Sequence, residues 1–276
     1  QKMIFHAGSN VSYGVDIPTI HQLLDNKYAG VNFGCNQGTP SVFYIEVAVT
    51  HMNPGDIVVL CPEYHKYQYG YNEMNTTAWQ IFEGAYNAFA DVDIRHFTEL
   101  FTSFGTFNTN RYSSTKRTYE QYHTTGGAPS VDQYGVYNIN HNGQTADLQK
   151  QIARFENQGG YGNTTMDVNL LSQSYNKNMN DAIDLVISKG GRLYFSFAAT
   201  MRLYLNKLSQ TAAVQNVYKN AVAKAFPKAS VISDPSTYVM EKNWFYNSVY
   251  HLSTEGSVYR SKLLAADILA QFAREK

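Results

Sequence analysis

Two side chains at opposite ends of the chain are suited to nucleophilic chemistry, and the first is Ser9. It follows the apolar run 3–7 in a turn of small residues. A serine held there would lie at the carboxyl edge of a sheet, where open α/β folds keep their sites. Serine is also a common N-cap. Taken alone, the local pattern favours a simple helix cap over a nucleophile.

The second side chain is His251, which stands in an aromatic loop immediately before the last predicted helix. All strands of a parallel sheet end at one edge, so a histidine in that loop can meet a serine that follows the first strand. A histidine next to a serine hydroxyl activates it as a nucleophile. The pair therefore reverses the local preference and predicts Ser9 as nucleophile and His251 as general base.

The elements that must position this pair alternate between strands and helices. Strands are predicted at 3–7, 31–34, 57–61, 192–197 and 229–233, and helices at 17–24, 41–51, 79–89, 94–101, 170–189, 212–226 and 257–275. The strand 57–61 is almost wholly apolar, as expected for a central strand covered on both faces. The order predicts an α/β fold, a three-layer αβα sandwich with a mainly parallel sheet of roughly five strands.

The length of the chain suits one α/β domain that carries an insertion, and we expect a single domain over residues 1–276. Residues 102–143 are rich in Thr, Ser, Asn, Tyr and Gly and show little periodicity. We therefore expect an irregular insertion at about 102–166, lying over the carboxyl edge of the sheet. Such long irregular runs inside a domain are usually functional or mobile.

Charge and motifs exclude several classes of function. Lys plus Arg and Asp plus Glu both total 22, which gives no support for nucleic acid or an acidic membrane surface as partner. The sequence has no glycine-rich motif for a dinucleotide or a P-loop phosphate. His65, His123 and His141 lack metal-ligand spacing and are interpreted as ordinary loop histidines. No cofactor and no metal are expected, and the 22 tyrosines favour an uncharged partner such as a sugar.

Four segments together resemble the SGNH/GDSL hydrolase superfamily. The resemblance is closest to its extracytoplasmic branch, which is associated with acylation or deacylation of bacterial cell-surface polymers. In chain order the segments are 7–16 (AGSNVSYGVD), 31–36 (VNFGCN), 55–64 (GDIVVLCPEY) and 246–256 (YNSVYHLSTEG). The resemblance covers both ends of the chain and implies an SGNH-hydrolase-like, flavodoxin-like sheet.

The family's roles can be carried over residue by residue. The resemblance implies that Ser9 is the nucleophile, that His251 is the general base and that the Gly34 N–H donates to an oxyanion hole. Where the family has Gly-x-Asn-Asp, this chain has the segment 61–64 (CPEY), so the oxyanion-binding asparagine is missing there. Asn36 is the candidate to replace it.

The acid that orients the histidine in this family is also missing from its usual place. The position three residues before His251 is Ser248, and Asn247 lies one residue further away. Asn247 could orient the imidazole through its carbonyl oxygen. Asp234, at the end of the last predicted strand, could instead supply an acid. Glu63, at the end of a central strand, could orient substrate or a partner side chain, or could form an ion pair at the rim of the sheet.

The function expected from the resemblance is acyl-ester chemistry on a carbohydrate polymer, as an O-acetyltransferase or acetylesterase. The expected partners are the polymer or an acetylated sugar and a membrane acyl-donor protein. The expected location is extracytoplasmic, and the start at Gln1 leaves room for a removed leader or anchor.

The alternative is a catalytically weak or inactive relative that binds polysaccharide or serves in its assembly. It is motivated by the missing Asn and Asp positions and by aromatic residues in and before the insertion, namely Trp79, Tyr112, Tyr119, Tyr122, Tyr134 and Tyr137. Such aromatic side chains can stack on sugars, or they can simply pack within loops.

Overall fold

The computed structural model describes residues 1–34, 41–64, 76, 78–79, 82, 86–124, 132–136, 141–167 and 173–276. The helices of this part of the chain are α1 (Ser9–Ser12), α2 (Ile17–Leu23), α3 (Ser41–Thr50), α4 (Phe97–Thr124), α5 (Ala146–Asn157), α6 (Gln173–Ser188), α7 (Ala212–Ala225) and α8 (Thr254–Arg274). The strands are β1 (Lys2–Ala7), β2 (Ala29–Gly34), β3 (Ile57–Leu60), β4 (Arg192–Phe195), β5 (Thr200–Met201), β6 (Ser230–Val231) and β7 (Val239–Met240).

Five strands form a parallel sheet in the spatial order β2-β1-β3-β4-β6. Numbered along the chain, these strands run 2-1-3-4-5, which is the flavodoxin-like order. The direction of winding reverses between β1 and β3, and ligands of such sheets bind outside the carboxyl ends at this switch point. Ser9 follows β1 and Glu63 follows β3, so both residues flank the switch point.

The sheet is covered on both faces, because alternate side chains of each strand point in opposite directions. Ile4 and Val58 pack in one core with residues of α3 and α6, whereas Phe5 and Val59 pack in a second core with residues of α2 and α8. Burial of one such side chain stabilises the fold by about 1.5–3 kcal/mol. The predicted three-layer αβα sandwich with a mainly parallel, five-stranded sheet is confirmed.

The prediction of an irregular run over 102–166 is wrong for two helices, α4 and α5. The Thr- and Ser-rich sequence of α4 has low helix propensity, and its hydroxyls bond to carbonyls of the preceding turn. Thr102 Oγ1 donates to Glu99 O at 2.7 Å, and Ser103 Oγ donates to Leu100 O at 2.7 Å. Such back-bonding slightly destabilises a helix, and α4 is held to the domain by the packing of Leu100 in a buried hydrophobic cluster.

Helix α5 begins after Thr145, an N-cap that can be identified from the sequence. Thr145 Oγ1 accepts the N–H of Leu148 at 3.3 Å, and Leu148 and Ile152 are buried. This spacing places both apolar side chains on one helix face. Among the described residues, no helix combines the length and the apolar character needed to cross a bilayer.

Candidate active site

The turn after β1 places the Ser9 side chain at the carboxyl edge of the sheet. Gly8 is extended and is the N-cap of α1, with no side-chain capping bond. The helical turn is closed by the N–H of Val11 on Gly8 O at 3.1 Å and by the N–H of Tyr13 on Ser9 O at 3.0 Å. Ser9 is therefore the first helical residue and not the cap, which removes the simpler interpretation of this serine.

Ser9, His251 and Asn247 form a continuous hydrogen-bonded chain. His251 Nε2 lies 2.7 Å from Ser9 Oγ, across 242 positions of sequence. On the other side of the ring, His251 Nδ1 lies 2.7 Å from Asn247 Oδ1. Because a carbonyl oxygen only accepts, it selects the tautomer with the proton on Nδ1, which leaves Nε2 free to accept the Ser9 proton.

The loop that carries His251 is held by its own backbone. The N–H of Tyr246 donates to His251 O at 2.9 Å, within an antiparallel bridge between Phe245 and Leu252. Ser248 Oγ accepts the N–H of His251 at 3.2 Å. Ser248 thus supports the turn, and the side chain that reaches the imidazole is Asn247, one residue earlier.

Asp234, the other candidate for orienting the histidine, has different partners. Its carboxylate accepts the N–H and the Oγ–H of Ser236 at 3.0 and 2.6 Å and pairs with Lys219 Nζ at 3.3 Å. It caps the short 3-10 helix Pro235–Tyr238. The proposed acid role of Asp234 is therefore wrong for this structure, since Asn247 occupies the second nitrogen of His251.

Glu63 follows β3 and contacts Asn10, the residue next to Ser9, at the switch point of the sheet. Its side chain is 1% exposed, and Oε1 accepts both the backbone N–H of Asn10 at 3.3 Å and the Asn10 amide at 3.2 Å. The carboxylate thus connects the end of β3 to the residue next to Ser9. The side chain that Glu63 contacts here is the Asn10 amide, and a role in orienting substrate stays a prediction.

Burial sets the protonation state of the histidine. It lowers the pKa of His251 to about 4, although the negative charge of Glu63 acts in the opposite direction. The imidazole is therefore neutral at neutral pH, the form that a general base requires.

Arg260 contacts the backbone of the turn that carries Ser9. The sequence did not predict this contact. It is fully buried on α8, and its Nη1 donates to Asn10 O at 2.7 Å. A Cβ added at Gly14 would lie 2.5 Å from the same Nη1. Arginine is rarely buried unless its charge is compensated, so no sequence pattern assigns Arg260 to this position.

The predicted oxyanion role of Gly34 is not supported by its hydrogen bond. Its N–H donates to Asn32 Oδ1 at 3.0 Å, and the Asn32 amide donates to Val11 O at 3.0 Å. A Cβ at Gly34 would lie 2.3 Å from Ser12 N. Glycine therefore lets α1 approach β2 closely. Asn36, the other predicted oxyanion residue, lies outside the described residues.

The aromatic side chains of Tyr13, His141 and Tyr246 pack together beside His251. Tyr13 stacks on the His251 ring, with centroids 4.1 Å apart and planes 9° apart. His141 meets Tyr13 edge to face at 5.9 Å, and Tyr246 lies within 6.4 Å of Tyr13. His141, interpreted as an ordinary loop histidine, lies in a loop, and its side chain is buried against Tyr13 and Tyr246.

One sequence signal could have identified Tyr13. It lies four residues after Ser9, so a helical turn that starts at Ser9 places both side chains on the same face. His141 has no such signal, since it is far from both Ser9 and His251 in the chain.

Trp79, suggested for sugar stacking, packs in a partly exposed aromatic cluster. Its ring packs on Phe82 and Phe104, and its indole N–H donates to Leu100 O at 2.8 Å. Tyr134 packs edge to face on His21. The side chains of Tyr112, Tyr119, Tyr122 and Tyr137 lie outside the described residues. Within the described part of the chain, no cluster of His, Cys, Asp and Glu could hold a metal ion.

No family model matches this chain, and no curated protein matches it either. Functional conclusions therefore rest on the geometry of Ser9, His251 and Asn247.

Proposed function

We propose that this protein carries out serine-dependent acyl-ester chemistry on a carbohydrate polymer, as an acetylesterase or O-acetyltransferase of SGNH/GDSL type. The observation that supports this most strongly is the 2.7 Å contact between His251 Nε2 and Ser9 Oγ at the switch point of the sheet. A nucleophile next to a base that is itself oriented by a third group is the arrangement that acyl transfer uses.

In the first half of the reaction, Ser9 Oγ attacks the carbonyl carbon of the ester and its proton passes to His251 Nε2. The tetrahedral intermediate collapses with cleavage of the bond to the sugar oxygen. That oxygen leaves as a hydroxyl with the proton from His251. The acyl group remains as an ester on Ser9, and the imidazole is neutral again.

In the second half, His251 takes a proton from the acceptor, which attacks the acyl-Ser9 ester. When the imidazole returns this proton to Ser9 Oγ, the serine is regenerated. Water as acceptor gives an esterase, and a sugar hydroxyl gives a transferase. For the transferase we propose a membrane acyl-donor protein as source of the acyl group and an extracytoplasmic location, as the family resemblance implies.

The charge that develops in these steps needs stabilisation on both sides of the site. The backbone N–H of Ser9 is the proposed oxyanion donor. Ser9 is the first residue of α1, so this N–H has no carbonyl partner within the helix. The imidazolium faces the neutral Asn247 oxygen in place of a carboxylate. We propose that the π-face of Tyr13 and the charge of Glu63 compensate in part.

Hydrolysis of p-nitrophenyl acetate tests this proposal. Ser9→Ala and His251→Ala should each lower kcat/KM by at least about 10³-fold, as expected for members of one catalytic unit. Asp234→Asn is the matched control, because it removes a carboxylate from the same sheet edge that does not reach the histidine. A rate that survives Ser9→Ala would rule out the proposed nucleophile.

The inactive, polysaccharide-binding alternative has two observations in its favour. Asn247 carries no charge, and the Gly34 N–H is bonded to Asn32. Calorimetry on an acetylated polysaccharide separates the two functions. Binding without release of acetate would favour the alternative, whereas release that depends on Ser9 would favour the enzyme.

A further inference from the structure

A second group of aromatic residues lies on the surface at the start of α8. The rings of Trp244 and Tyr259 stack with centroids 4.8 Å apart and planes 8° apart. Tyr259 is 42% exposed, and Trp244 is partly exposed. A Trp–Tyr stack in the hydrophobic core would be ordinary packing, but an exposed stack presents flat apolar ring surface to solvent.

The stacked pair borders a groove of about 390 Å³. Its lining is formed by Trp244 and by five residues of α8: Thr254, Glu255, Val258, Tyr259 and Lys262. Glu255, Val258, Tyr259 and Lys262 are spaced so that they share one helix face. Glu255 and Lys262 are exposed at the groove and carry opposite charges, so the rim offers hydrogen-bond donors and acceptors with no net charge.

This groove is attached to the loop that holds the catalytic histidine. The N–H of Ser253 donates to Trp244 O at 2.8 Å, and the N–H of Tyr246 donates to His251 O at 2.9 Å. Trp244 and His251 therefore belong to the same pair of bridged segments. A ligand held on Trp244 would be positioned by the same backbone that positions the base.

We infer that the Trp244–Tyr259 groove binds pyranose rings of the carbohydrate chain whose ester Ser9 attacks. The inference rests on the proposed function for the identity of the polymer. Sugar rings have an apolar C–H face and a rim of hydroxyls, and they match a flat aromatic surface bordered by Thr254, Glu255 and Lys262. A nucleic acid would require excess positive charge, which this rim lacks.

Tryptophan fluorescence tests the inference without catalysis. The chain has two tryptophans, so Trp79→Phe leaves Trp244 as the reporter, and Ser9→Ala prevents turnover. The probes are xylan, glucomannan and chito-oligosaccharides, each with and without O-acetyl groups. At least one probe should shift the emission of Trp244 in a saturable manner.

Substitutions in the groove, compared with a control elsewhere, test whether the probe binds at the groove. Tyr259→Ala and Glu255→Gln should each weaken binding of that probe, with about a tenfold loss for the tyrosine. Tyr161→Ala is the matched control. The Tyr161 ring contacts Lys207, and neither residue belongs to α8 or lines the groove, so this substitution should leave the affinity unchanged. Circular dichroism verifies that each variant is folded.

Absence of binding to every probe, or equal loss in Tyr161→Ala, would overturn the inference. Failure of the proposed function has a different signature, namely ester hydrolysis that does not depend on Ser9. Glycan binding that depends on Tyr259 in a protein without such hydrolysis would support the groove and contradict the enzyme.

Discussion

Tyr13 lies face to face with the imidazole of His251, with ring centroids 4.1 Å apart. The two residues are connected a second time, because His251 contacts Ser9 and the Tyr13 N–H donates to Ser9 O. Ser9 and Tyr13 thus lie on one helical turn, and the imidazole of His251 contacts both side chains. Since the side chain that contacts Nδ1 of His251 is the neutral Asn247, we expect the stack to take on part of the positioning that a carboxylate would provide.

Removal of this stacked ring should slow acyl-enzyme formation. Tyr13→Ala is expected to lower kcat by about tenfold, since an aromatic pair contributes about 0.5–1.5 kcal/mol beyond burial. Tyr13→Phe retains the ring and should stay close to wild type. The measurement is kcat for p-nitrophenyl acetate together with its pH profile. Equal rates in all three proteins would show that the stack has no part in positioning the base.

Asn247→Asp should raise activity, because a carboxylate stabilises the imidazolium that forms when Ser9 attacks. We expect an increase of about 10- to 100-fold in kcat, below the 10⁴ that separates Asp from Asn in the serine-protease example, since Asn247 already presents an oxygen to Nδ1. Asn247→Ala should reduce kcat. Steady-state kinetics on the three proteins gives the order Asp, Asn, Ala, and any other order contradicts the role of Asn247.

The pH dependence of the reaction should be set by His251. Burial lowers its pKa to about 4 from an ordinary value of 6.5, and the base is active only when neutral. The value of kcat/KM should therefore remain level down to about pH 5 and fall around pH 4. In Asn247→Asp the added charge should move this fall to higher pH. A midpoint near 6.5 in wild type would contradict the buried, neutral histidine.

The lowered pKa of His251 also makes the stability of the folded protein depend on pH. Between pH 6.5 and about 4 the unfolded chain binds a proton at His251 that the folded chain does not bind. Stability should therefore decline as pH falls through this window. His251→Gln removes this contribution, so the loss of Tm on acidification should be smaller in the variant. An identical loss in both proteins would argue against the shift.

Two glycines provide a matched test of the packing under the Ser9 turn. A Cβ at Gly14 would lie 2.4 Å from Asn10 O and 2.5 Å from Arg260 Nη1, whereas a Cβ at Gly105 in α4 meets no atom within 4 Å. Gly14→Ala should lower both Tm and activity. Gly105→Ala should raise stability by about 0.5–1 kcal/mol. Thermal unfolding of both variants checks the contrast, and a tolerated Gly14→Ala would contradict tight packing around this turn.

The sequence was informative where topology decides the outcome. The carboxyl ends of parallel strands meet at one edge, and this alone brings Ser9 to His251 from opposite ends of the chain. The alternation of apolar segments predicted the sheet for the same reason. Asn247 could also be anticipated, because it lies close to the histidine along the chain.

Other features depend on tertiary contacts that composition does not reveal. Helix α4 is rich in residues that usually favour turns, but Leu100 packs it into a buried cluster with Phe43 and Phe82. Arg260 is buried because the Asn10 carbonyl accepts its Nη1, a partner that lies 250 residues away in the chain. The Gly34 N–H is taken by Asn32, which a motif that names the glycine alone cannot show.

Ser9 can be tested directly as the nucleophile by labelling with a fluorophosphonate probe, followed by mass spectrometry of the modified peptide. We expect a single adduct on Ser9, no adduct in Ser9→Ala, and much slower labelling in His251→Ala, because the neutral imidazole 2.7 Å away would activate the hydroxyl. Asp234→Asn should be labelled at the wild-type rate. An adduct on another residue, or equal labelling of Ser9→Ala, would contradict the assignment of Ser9 as the nucleophile.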